Sequence, residues 1–105
     1  MNKDYYEKIY ELVKKIPKGR VSTYGNIAEA LSMKSAARTV GYALNAAKNR
    51  PEIPCHRVVN RKGELTGKHH FPDEHYMKDK LQSEGVTFDG ERVNLEKHFF
   101  DLRKL

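Results

Sequence analysis

Apolar residues recur at Tyr5, Ile9, Leu12, Val13 and Ile16, the spacing of one helical face, with lysines and glutamates on the other faces. Pro17, Lys18 and Gly19 end this helix, which the pattern places within residues 1–17. A short extended piece follows around Arg20 to Ser22. Thr23 then stands where an N-cap belongs, before a helix from about Tyr24 to Leu31 that turns Ile27, Ala28 and Leu31 inward. Ser32 to Lys34 read as a turn into a second helix, about Ser35 to Lys48, presenting Ala36, Ala37, Val40, Ala43 and Leu44. Two short helices across so brief a turn, over residues 20–48, form a helix-turn-helix pattern.

The period is lost from Asn49 to Pro54, and the loop leads into the run Pro54 to Val59. Asn60 to Gly63 make a turn, so Val58 and Val59 are expected to pair with Glu64 to Thr66 as a small hairpin, a wing beside the helices. Gly67 to Pro72 reads as irregular. Asp73 to Glu84 reads as a third helix with Met77 and Leu81 inward, stopped by Gly85 in a left-handed cap. Val86 to Phe88, a turn at Asp89 and Gly90, and Val93 suggest a last hairpin, followed by an amphipathic tail through Leu95, Phe99 and Leu102. The expected fold class is mostly α with small β-hairpins, a winged helix-turn-helix-like domain of three helices.

Length and charge narrow what such a fold is for. At 105 residues, 38% hydrophobic and 32% charged, the chain is expected to be one domain over 1–105 with a modest core. Its net charge is +6 and its pI about 9.5. Residues 1–50 hold ten basic and four acidic side chains and the rest hold ten of each, so the first half carries the whole surplus. A one-sided basic surface points to a polyanion partner, with plain solubility as the other reading. No apolar run approaches the roughly 20 residues of a membrane span, and Lys3, Asp4, Glu7 and Lys8 interrupt the place of a signal peptide. A soluble cytoplasmic protein without membrane contact is expected.

Cys55 is the single cysteine, so it acts as a thiol rather than in an internal disulfide. It lies between Pro54 and His56 at the end of a loop, with Arg57, Arg61 and Lys62 nearby, groups that lower a thiol pKa from its usual value of roughly 8.5. An inert core cysteine is the competing reading. Neighbours in an extended chain point to opposite sides, so His56 needs a local bend or a bridging water to reach the sulfur. His69, His70 and His75 cluster without ligand-spaced cysteines, so no metal site and no cofactor are expected.

Pro54, Cys55, His56, Arg57, Val58 and Val59 together resemble the active-site signature of the O6-alkylguanine-DNA alkyltransferases. Upstream, Val21 to Leu31 with Tyr24 is similar to the first helix of that family's helix-turn-helix, and Ala36, Ala37, Arg38, Thr39, Val40 and Gly41 to its minor-groove recognition helix. Downstream, Glu84 and Gly85 match the Glu-Gly that closes the following helix. The resemblance implies a monomer that binds double-stranded DNA containing O6-alkylguanine from the minor groove. Arg38 is then the finger that replaces an extruded nucleotide, Tyr24 helps to rotate the base outward, and Ala36, Ala37 and Gly41 allow close approach. Cys55 takes the alkyl carbon in a single turnover, with His56 as base through a water and Glu84 orienting it. Arg57 ties the loop to carbonyls or a carboxylate.

The resemblance also shows departures. Where the family carries an aromatic, a small residue and two glycines as the far wall of the guanine pocket, this chain reads Lys68, His69, His70 and Phe71. Lys68 then stands in for a missing tyrosine hydroxyl. The family's hinge asparagine falls on Ala47, with Asn45 and Asn49 close enough to substitute. These changes resemble the short alkyltransferase-like branch, which binds the lesion and hands it to nucleotide excision repair proteins and normally lacks the cysteine. The expectation is an alkyl acceptor, with that lesion sensor as the alternative and a winged-helix transcription regulator as a third reading.

Overall fold

The computed structural model describes residues 3–32, 37–47 and 49–105. Helix α1 (Lys3–Lys14) leads to strand β1 (Ser22–Thr23), helices α2 (Tyr24–Ala30) and α3 (Ala37–Ala46), and a 3₁₀ turn at Cys55–Arg57 that continues into β2 (Val58–Val59). A 3₁₀ turn at Thr66–His70, α4 (Tyr76–Ser83), strands β3 (Phe88–Asp89) and β4 (Arg92–Val93), α5 (Leu95–His98) and a last 3₁₀ turn at Leu102–Lys104 follow. No described helix is long and apolar enough to cross a membrane.

On α1 the inward face is rotated from the expected stripe. Ile9, Val13 and Ile16 are fully buried but Tyr5 is exposed; Tyr10 goes inward instead, and its hydroxyl donates to the Ala43 carbonyl of α3 at 2.7 Å. A tyrosine enters a core when its polar tip finds such a partner. Thr23 caps α2 by accepting from the Asn26 amide at 3.0 Å, as the sequence predicts.

The expected wing is absent. Val58 and Val59 pair in parallel with Ser22 and Thr23, and Glu64 forms an isolated bridge to Arg92 instead. Asn60 explains the diversion: its side-chain oxygen accepts from the amides of Lys62 and Glu64 at 2.9 and 2.8 Å, folding the chain back in a tight turn. Gly63 in that turn has φ +83°, and a Cβ there would lie 2.6 Å from the Val93 carbonyl. Both valines of β2 are completely buried because the short parallel pair divides two cores. Alternation sends Val58 into the core built by α1, α2 and α3, and Val59 into the core of Met77, Leu81, Val86 and Val93.

The segment expected to be irregular contains the Thr66–His70 turn, and α4 begins three residues later than expected because Asp73 first closes a turn, accepting from the His75 amide at 2.8 Å. Its end follows expectation. Gly85 has φ +94°, its amide donates to Gln82 and that of Val86 to Leu81, a paired capping arrangement that fixes Glu84 as the last residue of the turn. The β3–β4 hairpin pairs Phe88 with Val93 across Gly90, also as expected.

The C-terminal tail forms a belt. Val21 donates to the His98 carbonyl and accepts from Phe100, placing Phe99 beside β1. Asn26, buried in the first turns of α2, accepts from the Leu102 amide and the Ser22 hydroxyl at 2.8 and 3.0 Å and donates to Asp101 at 2.8 Å. The belt thereby holds α2 against β1.

Candidate active site and nucleic-acid interface

Pro54 starts the 3₁₀ turn and its carbonyl accepts from the Arg57 amide at 3.0 Å. The turn supplies the local bend that an extended chain lacks: successive side chains step by about 120° rather than 180°. Cys55, half-buried, donates its S–H to the Leu44 carbonyl of α3 at 3.8 Å. His56 turns inward, and its Nε2 lies 3.0 Å from Glu84 Oε2. Arg57 meets the same carboxylate twice, Nε to Oε1 at 3.0 Å and Nη2 to Oε2 at 2.9 Å, while Nη1 donates to the Ile16 carbonyl at 2.9 Å. One guanidinium thus ties the Cys55 turn, the end of α4 and the end of the α1 segment together.

The electrostatics set protonation states. Burial pushes Glu84 upward, but the hydrogen bonds from Arg57 and His56 outweigh it and hold the carboxyl below its usual range. An ionised carboxylate only accepts, so the His56 proton sits on Nε2 and the Nδ1 lone pair is the basic one. Burial lowers His56, against the pull of Glu84, so the ring is neutral and able to take a proton. Burial pushes the Cys55 thiol up to about 11. The sulfur therefore keeps its proton, directed at a carbonyl.

Tyr24, the first residue of α2, packs half-buried against the same core as Cys55. Burial raises its phenol, a hydrogen bond with Thr66 pulls the other way, and the proximity of Cys55 raises it further. Thr66, which the sequence did not suggest, thus lies near the Tyr24 hydroxyl at the start of the Thr66–His70 turn. Lys68 is half-buried and lines, with Thr66, His69 and Arg92, an open groove of about 1160 Å³ against α4 and the β3–β4 hairpin; Cys55 does not line it. Ala47 is buried in the core, whereas Asn45 and Asn49 are exposed.

The residues expected to face DNA lie apart from this site, on α3. Val40, Ala43 and Leu44 enter the core, leaving Ala37, Arg38, Tyr42, Asn45 and Ala46 exposed. Ala36 lies outside the described residues. A Cβ added at Gly41, or at Gly25 beside Tyr24, would meet nothing within 4 Å, so the protein's own packing demands neither glycine. Each costs about 1 kcal/mol of helix propensity relative to alanine, and each leaves clearance on the outside of the helix-turn-helix. Among the described residues no group of three histidine, cysteine or carboxylate side chains is arranged to hold a metal ion.

A family profile described as "6-O-methylguanine DNA methyltransferase, DNA binding domain" matches residues 4–86. The chain belongs to this family. It is 41% identical over 83 residues to alkyltransferase-like protein 1 of Schizosaccharomyces pombe, covering 79% of this chain and 77% of that one. It is 49% identical over 61 residues to the methylated-DNA–protein-cysteine methyltransferase of Lodderomyces elongisporus, of whose length that match spans 30%. The crystal structure of Schizosaccharomyces pombe Atl1 in complex with damaged DNA containing O6-carboxymethylguanine superposes with a TM-score of 0.82 at 34% identity, over 95% of this chain and 97% of that one. The family match ends at Val86, before most of the C-terminal belt.

Proposed function

We propose that this protein recognises O6-alkylguanine in duplex DNA, draws the base out of the helix and transfers its alkyl group to Cys55. The observation that carries the reading is the Cys55–His56–Glu84 arrangement, a thiol next in sequence to a neutral imidazole whose tautomer an ionised carboxylate holds. Lesion binding admits a water between the sulfur and His56 Nδ1, and the thiol proton passes through it to the ring. The sulfur then attacks the alkyl carbon, the carbon–O6 bond breaks with its electron pair leaving on guanine, and the proton returns to guanine N1. The thioether is stable, so each molecule reacts once. Arg38 fills the gap left by the base, Tyr24 supports the rotation, and Ala36, Ala37 and Gly41 let α3 approach the minor groove as a monomer.

A second reading keeps recognition and drops transfer. It is favoured by the Cys55 proton resting on Leu44, by the sequence Lys68 to Phe71 in place of the family's aromatic, small residue and two glycines, and by the similarity to an alkyltransferase-like protein. Such a sensor passes the lesion to excision-repair proteins. Intact mass spectrometry after mixing with a duplex holding one O6-methylguanine, with Cys55→Ala and an unmodified duplex as controls, separates the two. Transfer predicts a gain of one methyl group on Cys55 and no more. Lesion-selective binding with no mass gain assigns the sensor, and no selectivity at all sinks both.

A further inference from the structure

Tyr42 is the bulkiest exposed side chain of α3, at 56% the most exposed aromatic among the described residues. It stands four residues after Arg38, on the same face of the helix, between the clearance beside Gly41 and the small Ala46. Among the described residues its ring has no aromatic or cationic partner. Tyr10, by contrast, is buried and anchored on Ala43, and Tyr24 is half-buried against the core. No acidic side chain lies on α3. A large amphipathic ring held outward beside a cationic Arg38 on an acid-free face fits an external partner that presents hydrogen-bond acceptors in a narrow slot.

We propose that Tyr42 reads the base pairs flanking the lesion from the minor groove and favours A·T there, its hydroxyl donating to adenine N3 or thymine O2. The inference rests on the reading above that α3 carries Arg38 into that groove. Four residues advance the helix by about 6 Å, which sets Tyr42 one to two base-pair steps from the gap that Arg38 fills. The groove is about 6 Å wide and takes an aromatic ring edge-on, whereas the guanine N2 amino group projects into the same space and crowds the ring and its hydroxyl away from the acceptors on the groove floor. Arg38 therefore serves extrusion at any site, and Tyr42 makes affinity depend on the neighbours.

The test measures binding of the full chain to duplexes with one O6-methylguanine in which the two pairs on each side are A·T, G·C or inosine·C. Inosine·C lacks the N2 amino group and, like A·T, pairs through two hydrogen bonds, so it isolates that group, and Tyr42→Phe separates groove reading from the ease of opening the flanking pairs. The proposal predicts that A·T and inosine·C contexts bind about five-fold tighter than G·C, the size of one hydrogen bond, and that Tyr42→Phe brings this ratio close to one. Arg38→Ala should weaken all three contexts alike. A wild-type ratio near one, or a ratio that survives Tyr42→Phe, overturns the role of Tyr42 while lesion preference over unmodified duplex still stands. Loss of lesion preference in the wild type overturns the underlying reading and this inference with it.

Discussion

His56 and His98 are the two buried histidines among the described residues, 7% and 6% exposed, and their hydrogen bonds separate them. His98 uses both nitrogens. Nδ1 donates to the Gly19 carbonyl at 3.0 Å, and Nε2 accepts from the Thr87 amide at 2.9 Å and faces the Thr87 hydroxyl at 2.8 Å. It joins the turn after α1, the segment after α4 and the belt, and nothing remains for chemistry. His56 has Nε2 on Glu84, which leaves Nδ1 as the nitrogen that the proposed transfer would use. Equal burial thus accompanies opposite hydrogen-bonding patterns, and on the proposed reading the carboxylate on one side of the ring makes the other side the base.

The widest separation between the two should appear in methyl transfer. His56→Gln is expected to slow single-turnover transfer about 100- to 10,000-fold in timed intact-mass measurements, while His98→Gln leaves the rate of the folded protein alone. Glu84→Ala should then lower the unfolding free energy in urea by about 3–5 kcal/mol, because Arg57 and His56 lose their shared carboxylate in a buried site. Iodoacetamide should alkylate Cys55 of the DNA-free protein about 100-fold more slowly at pH 8 than an ordinary thiol, reflecting the rise to about 11; an ordinary rate would show the thiolate to be present already. His98→Ala should cost about 1–3 kcal/mol in the same urea assay, since the Gly19 carbonyl and the Thr87 amide lose a partner.

The smallest effect is in pH dependence. Both His56 and Glu84 titrate below their ordinary values in the folded protein, so each stabilises it at neutral pH and the stabilisation fades in acid. The share of His56 begins to go as pH falls below 6.5 and that of Glu84 below 4.5. Melting temperature should therefore fall from pH 7 toward pH 4, and His56→Gln should flatten the upper part of that decline; an unchanged profile in the variant would place the acid sensitivity elsewhere.

Local signals were legible wherever one residue type answers one backbone demand. Thr23 as a cap, Gly85 and Gly90 at positive φ, and the inward Met77 and Leu81 are of this kind. The pairing of Val58 and Val59 was not, because a two-residue strand carries no mark of its partner, and its choice of β1 depends on how Asn60 turns the chain. Tyr5 and Tyr10 are equivalent in composition, and only the Ala43 carbonyl on another helix decides which goes inward. The same holds at the site. Cys55, His56, Arg57 and Glu84 stand out in the sequence through family resemblance, but the doubled Arg57–Glu84 contact and the Leu44 carbonyl at the thiol join residues 27 and 11 positions apart. Asn26 offered one overlooked signal, a polar side chain on the inward side of a short helix, and it proves to be the anchor of the belt.

Glu84 fixes His56 in the tautomer that leaves Nδ1 as the base proposed for Cys55. Long-range nitrogen–proton correlation spectra of the ¹⁵N-labelled, DNA-free protein at pH 7.5 read this directly. A protonated Nε2 with a bare Nδ1 at His56, beside the reverse pattern at His98, is the predicted result. A proton on His56 Nδ1 would contradict the account, because the nitrogen left for the thiol would then be a donor.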